Sequence, residues 1–215
     1  MAFILDGTTG IATVDGSVSA PSQRGQDSNS GISYAADTIK FSTGGVERMA
    51  ITNSGISNVG KILNVVSTTK TDTATNSTAS NAMWDYTAFN ASITNTGTNK
   101  ILISVSVSYA VDNAARISMT LRKDGATVSE AIGSGAGSRR AVTSAELHDY
   151  GGSLVTTNGF VFLHAPSAGT HTYNIGFRHD SSQTKTLYLN RSPDDNNSYS
   201  YFRPISTIVL MEVAS

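Results

Sequence analysis

"ILISVSVSY", residues 101–109, decides the fold class. In an extended chain Ile101, Ile103, Val105, Val107 and Tyr109 fall on one face, and Ser104, Ser106 and Ser108 fall on the other. That is a period of two, which a helix cannot use to make a single apolar stripe. The same alternation recurs downstream. Ala115, Ile117, Met119 and Leu121 alternate with Arg116, Ser118, Thr120 and Arg122, and His171, Tyr173, Ile175 and Phe177 alternate with Thr172, Asn174, Gly176 and Arg178. "KDGAT", residues 123–127, reads as a hairpin turn in which Asp124-Gly125 supplies positive φ.

Working outward, strands are expected over 61–69, 84–94, 100–111, 115–123, 126–132, 154–164, 170–178, 184–191 and 206–213. Many short strands with no helical period predict an all-β chain. An antiparallel β-sandwich is expected over 61–215, with a jelly roll as its form. The last segment, Thr207-Ile208-Val209-Leu210-Met211-Glu212-Val213, differs from the others because it is apolar on both faces. One row, Ile208 and Leu210, or the other, Val209, Met211 and Val213, belongs in the core. The remaining row needs a cover, as in a central strand near a subunit interface.

Composition narrows the class. Charged residues are 14% of the chain, against roughly 25% in an average domain. Ser, Thr, Asn and Gly must therefore supply much of the polar surface. Fifteen basic against sixteen acidic residues leave a net charge of −1, with no footprint for nucleic acid or an anionic membrane. The absence of cysteine excludes disulfides, thiolate catalysis and thiolate zinc sites. Met1–Asp6 has a brief apolar run and no basic n-region, which is not the pattern of a signal peptide. No window approaches the roughly 18 apolar residues of a membrane-spanning helix, so no membrane insertion is expected.

Residues 1–37 are weakly hydrophobic and rich in Gly, Ser, Thr and Asp. They read as flexible alone, or as an extended attachment arm ordered by a partner. A β-hairpin neck follows over 38–60. Thr38–Thr43 and Val46–Ile51 flank Gly44-Gly45. A two-residue turn would pair Phe41 with Arg48. A three-residue turn at 44–46 pairs Phe41 with Met49 and Ile39 with Ile51, placing all four apolar side chains on one face, and is preferred. That face needs a cover from its own domain or from copies of itself. The pentapeptide Asn29-Ser30-Gly31-Ile32-Ser33 recurs as Asn53-Ser54-Gly55-Ile56-Ser57 and marks two equivalent turn-and-strand starts.

Sites of chemistry are sparse, and neither catalysis nor a cofactor is expected. His148, His164, His171 and His179 have no zinc-like spacing. "GSGAGSRR", residues 133–140, lacks the P-loop lysine and a following helix, and reads as a β connection rather than a phosphate loop. His148-Asp149 and His179-Asp180 are sequence neighbours, so in a strand they point to opposite faces, poor geometry for a triad. Among Glu130, Glu146, Asp149 and Asp194 nothing selects a pair of carboxylates for glycoside cleavage. "SPDDNNS", residues 192–198, lacks the glycine and terminal glutamate of a calcium loop. Its Asp194, Asp195, Asn196 and Asn197, with Tyr199 and Tyr201, are the candidate ligand-binding residues. Aromatic faces beside hydroxyl-directed polar groups suit a glycan.

"DTIKFSTGGVERMAITNSG", residues 37–55, resembles the short β segment upstream of distal domains in many tailed-bacteriophage fibre and virion-surface proteins. The matching residues are Phe41, Thr43-Gly44-Gly45, Glu47-Arg48-Met49, Ile51 and Gly55. The stretches "KILNVVSTTKTDTA" (61–74), "NKILISVSVSY" (99–109) and "STIVLMEV" (206–213) are similar to phage proteins whose trimeric head is like the tumour-necrosis-factor and complement C1q jelly rolls. The leader "MAFILDGTTGIATVDGS" resembles the start of structural proteins from aquatic phages, cyanophages included. The resemblance implies a homotrimeric virion protein, made in the host cytoplasm and joined to other virion proteins through residues 1–37. A short tail fibre or fibre tip that binds the host surface is the first expectation. A capsid decoration or a polysaccharide depolymerase are the alternatives. Phe41, Met49, Ile51, Ile208, Leu210 and Met211 are the candidate trimer-interface residues.

Overall fold

The computed structural model describes residues 15–57, 62–97, 99–112, 115–148 and 154–214. Residues 1–14 of the expected arm, 58–60 of the expected neck, and Asp149 lie outside them. The chain divides into two compact units, Met1–Gly60 and Lys61–Ser215.

The first unit is built from β1 (Gly16–Ser17), β2 (Ala20–Pro21), β3 (Gln23–Arg24), β4 (Gly31–Ala35), β5 (Thr38–Thr43), β6 (Val46–Thr52) and β7 (Gly55–Ser57). Strands β3 to β7 form one antiparallel sheet in chain order. Part of the segment read as an arm is thus continuous with the hairpin, since β4 pairs along the length of β5. Each copy of the repeated pentapeptide starts a strand, β4 at Gly31 and β7 at Gly55.

In the hairpin Phe41 pairs with Met49 and Ile39 with Ile51, the preferred register. The turn differs from the expectation. Thr43 pairs with Val46 and Ser42 with Glu47, so Gly44-Gly45 is a two-residue turn. Their φ values of 61° and 74° suit the tight primed turns that match strand twist. The extra residue is Arg48, a bulge that restores the apolar register one step from the turn. Across four strands Tyr34, Ile39, Ile51 and Ile56 align in one row, with Ile32, Phe41 and Met49 beside it. None of these seven is buried in the single chain.

The second unit contains β8 (Ile62–Lys70), β9 (Ala74–Thr78), β10 (Trp84–Asn95), β11 (Lys100–Val111), β12 (Ala115–Lys123), β13 (Ala126–Thr127), β14 (Ser144–His148), β15 (Thr156–His164), β16 (Gly169–His179), β17 (Lys185–Leu189) and β18 (Ser206–Val213). The long strands pair in a nest: β8 with β18, β10 with β16, β11 with β15, and β12 with β14, all antiparallel. Rolling that nest up gives two sheets, ordered β8-β18-β11-β15 and β10-β16-β12-β14. This is the jelly roll expected from the sequence. β17 and β9 extend the rows of β18 and β8. Strands β9 and β14 were not foreseen. The segment 126–132, read as one strand, is a two-residue strand followed by a 3-10 turn at Ser129–Ala131.

The core lies between the sheets, where the alternating rows meet. Ile101, Ile103, Val105, Val107 and Tyr109 face Ile117, Met119, Leu121, Tyr173, Ile175 and Phe177. On β18 the inward row is Ile208 and Leu210, both fully buried within one chain. These two interface candidates are therefore core residues, and Val209, Met211 and Val213 form the outward row.

Gly159 on β15 pairs with Ser106 on β11, and a Cβ there would sit 2.2 Å from the Val105 carbonyl oxygen. Backbone in a paired strand cannot retreat that far. Gly159→Ala is expected to push β15 off β11 and cost about 1–3 kcal/mol, the range of overpacked sites, as read by urea unfolding.

Candidate binding site

Collinear strands β17 and β18 are separated by the loop 190–205. The loop is closed at its neck by buried side chains. Asn190, at φ 56°, donates from Nδ2 to the carbonyls of Lys70 (2.8 Å) and Asp72 (3.0 Å). Its Oδ1 accepts from the Ser206 hydroxyl at 2.6 Å, and Ser206 Oγ accepts from the Ser108 amide at 3.0 Å. Fixed ends and a compact path make this an Ω-loop on a rigid scaffold.

Its internal brace is Asp195, held at φ 45°. The Arg203 fork donates to both carboxylate oxygens, at 2.9 and 2.5 Å, and holds Asp195 below its ordinary pKa. Arg191 Nη1 lies 3.6 Å away; that guanidinium also donates to the Ser192 and Pro193 carbonyls and stacks over the Tyr188 ring at 5.1 Å. Asn196 Nδ2 donates to the Tyr201 hydroxyl at 3.1 Å. Asp195, Asn196, Asn197, Ser198, Tyr201 and Arg203 together line an open cleft of about 470 Å³.

Four candidates from the sequence, Asp195, Asn196, Asn197 and Tyr201, therefore meet. Asp194 and Tyr199 do not line the cleft; Tyr199 is 95% exposed. Phe202, 69% exposed, adds a second aromatic to the loop surface. Sequence reading missed Ser198 and Arg203. The signal for Arg203 is the second of two arginines, Arg191 and Arg203, that bracket an acidic, Asn-rich loop. The cleft offers carboxamides, hydroxyls and the Tyr201 ring, with Tyr199 and Phe202 exposed on the same loop, the groups that grip a sugar.

The other candidate chemistry is spoken for by structural bonds. Glu146 accepts from Thr156 at 2.6 Å and Tyr109 at 3.3 Å. His164 bonds Tyr173 at 2.8 Å, and His171 bridges Asp124 and the Ser167 carbonyl. Asp180 binds Arg116 while its neighbour His179 turns inward to the Thr78 carbonyl, on opposite faces as expected. Among the described residues no three His, Asp or Glu side chains converge as a metal site.

No family model matches the chain, and no curated protein matches it. Among solved structures it is similar to a chain in a structure of infectious bursal disease virus, Gx strain, at 14% identity and a TM-score of 0.37. The match covers 76% of this chain and 41% of that one. So loose a superposition carries no argument about function.

Proposed function

We propose that this protein is a homotrimeric structural component of a virion surface, a short fibre or fibre tip whose N-terminal segment attaches it and whose jelly-roll head binds a host-surface glycan. The observation that carries the reading is the outer face of the β8-β18-β11-β15 sheet. Leu163, Leu102, Met211 and Val65 align across its four strands. Val161 and Val209 lie one step along, and Val213 and Ile62 lie at the other side. The remaining outward positions on these strands are Ser, Thr, Gly and Ala110, with Lys100 at one corner as the lone charge. Val161 is 67% exposed, Ile62 55% and Val65 54%. A contiguous aliphatic face with a single charge at its corner is what obligate association buries.

Copies of the same chain are the occupant this reading assigns, because the first unit leaves a second apolar sheet face open in the same single chain. Threefold packing covers both. Sedimentation equilibrium is expected to give about three times the 22.5 kDa chain mass. A monomer at micromolar concentration removes the self-association reading. Imaging labelled protein on whole particles tests the placement independently, and a label on the capsid shell instead of the tail removes the fibre.

A further inference from the structure

The second sheet carries a site of different chemistry on its outer face. Arg116, Ser118, Thr120 and Arg122 point outward from β12, and Arg178 points outward from β16 beside Ser118. The connection 133–143, which holds "GSGAGSRR", brings Ser138, Arg140 and Val142 to the same face. With Asn81, Arg116, Ser118, Ala145, His179 and Asp180 they line a cleft of about 360 Å³. That volume is within the range of small-molecule sites and much larger than one oxyanion fills.

The charges here do not cancel. Asp180 takes Arg116 at 2.7 Å, and Asp85 takes Arg122 at 3.1 Å. Arg140 reaches only the neutral side-chain carbonyl of Asn81. The Arg178 guanidinium has no hydrogen-bond or carboxylate partner among the described residues, and its Nε is buried and unsatisfied. Burial, then the adjacent Arg140 and Arg122 charges, push the Arg178 guanidinium below its ordinary pKa. Arg140 lines the cleft; Arg178 does not line it but stands next to it, paired across the sheet with the lining residue Ser118. Neither has a carboxylate partner, which is costly in the empty protein, and an anion in the cleft relieves both.

We propose that this cleft binds an acidic sugar, its carboxylate or sulfate held by Arg140, with the charge of Arg178 beside it at Ser118, and its hydroxyls by Ser118, Ser138 and Asn81. Guanidinium forks match planar oxyanions, and the hydroxyl and amide lining with Val142 and Ala145 suits the mixed faces of a pyranose. The inference names a ligand class for the glycan binding proposed above, but it rests on the face of one jelly roll and not on the trimer.

Calorimetric titration of the full chain with glucuronate, galactose 6-sulfate, glucose and inorganic sulfate tests it. The acidic sugars are expected to bind, and glucose is not. Binding should weaken as salt is added. Arg178→Gln and Arg140→Gln should each weaken it by about ten-fold or more, with melting temperature held close to that of the parent. Arg178→Lys should recover part of the loss, since it keeps the charge and loses the fork. Absence of binding by both acidic sugars overturns the proposal, as does binding that both Gln variants leave unchanged. Inorganic sulfate binding alone overturns the sugar. None of these results alters the sedimentation mass, so the ligand and the assembly fail separately.

Discussion

A Met211→Lys protein is expected to fold and to sediment as a single chain. Met211 points out of β18 and lies between Leu102 and Val65 at the centre of the aliphatic face. In a lone subunit the new ammonium meets water and costs almost nothing. In an assembly it is buried without a partner, a penalty of several kcal/mol per ion that is repeated in every copy. Leu210→Ala is the opposite case. Leu210 is fully buried between the sheets, so its loss is expected to cost about 2–5 kcal/mol. Assembly should survive below the lowered melting point. Sedimentation and melting at several protein concentrations distinguish the two, because dissociation coupled to unfolding makes the melting temperature depend on concentration. A Met211→Lys protein of unchanged mass would show that association uses another surface.

Glu212→Ala should cost about 2–3 kcal/mol through a different route. Glu212 shares the inward row of β18 with Ile208 and Leu210 and is 2% exposed. Its Oε1 accepts from the Thr96 amide at 2.7 Å, the Thr96 hydroxyl at 2.6 Å and Asn99 Nδ2 at 2.9 Å, which ties β18 to residues that follow β10 and precede β11. Hydrogen bonds to an ionised group are the stronger kind, and removing the acceptor strands donors. Burial pushes this carboxyl up, but the Thr96 hydroxyl, the Thr96 amide and Asn99 outweigh it, and the net shift is below the ordinary 4.5. A depressed folded pKa gives stability that is present above the unfolded value and lost as pH falls through the folded one. The penalty of Glu212→Ala, measured by urea unfolding, should therefore be full at pH 7 and shrink well below pH 4.5. A pH-independent penalty would assign the effect to packing alone.

Alternation made the nested strands legible, because a row such as Ile101 to Tyr109 has one physical use. β9 and β14 were not legible. "ATNST" and "SAELH" are short and largely polar, and they become strands because β17 and β12 offer them partners. Around 128 the period was misread. Val128 and Ala131 are both buried at a spacing of three, which a 3-10 turn meets and a strand does not. On β18, Glu212 argues from sequence for a solvent-facing row, yet its row is the buried one because Thr96 and Asn99 supply donors. Of the candidate cleft, the Asp/Asn run and Tyr201 could be read locally. The Asp195–Arg203 clamp spans eight residues of loop, and the Arg140–Arg178 cluster joins a connection to a strand across the fold. Only topology brings those groups together.

The nested pairing also fixes where the two ends of the second unit lie. Its first and last strands are neighbours, with Ile62 opposite Val213, so the two ends leave side by side about 5 Å apart. A domain with adjoining ends behaves as a cassette. It can be lifted out and set into a surface turn of another protein without stretching either, or have its ends joined by a short bridge and be reopened elsewhere. Exchange of the whole domain between carrier proteins then asks nothing of the carrier beyond one point of connection.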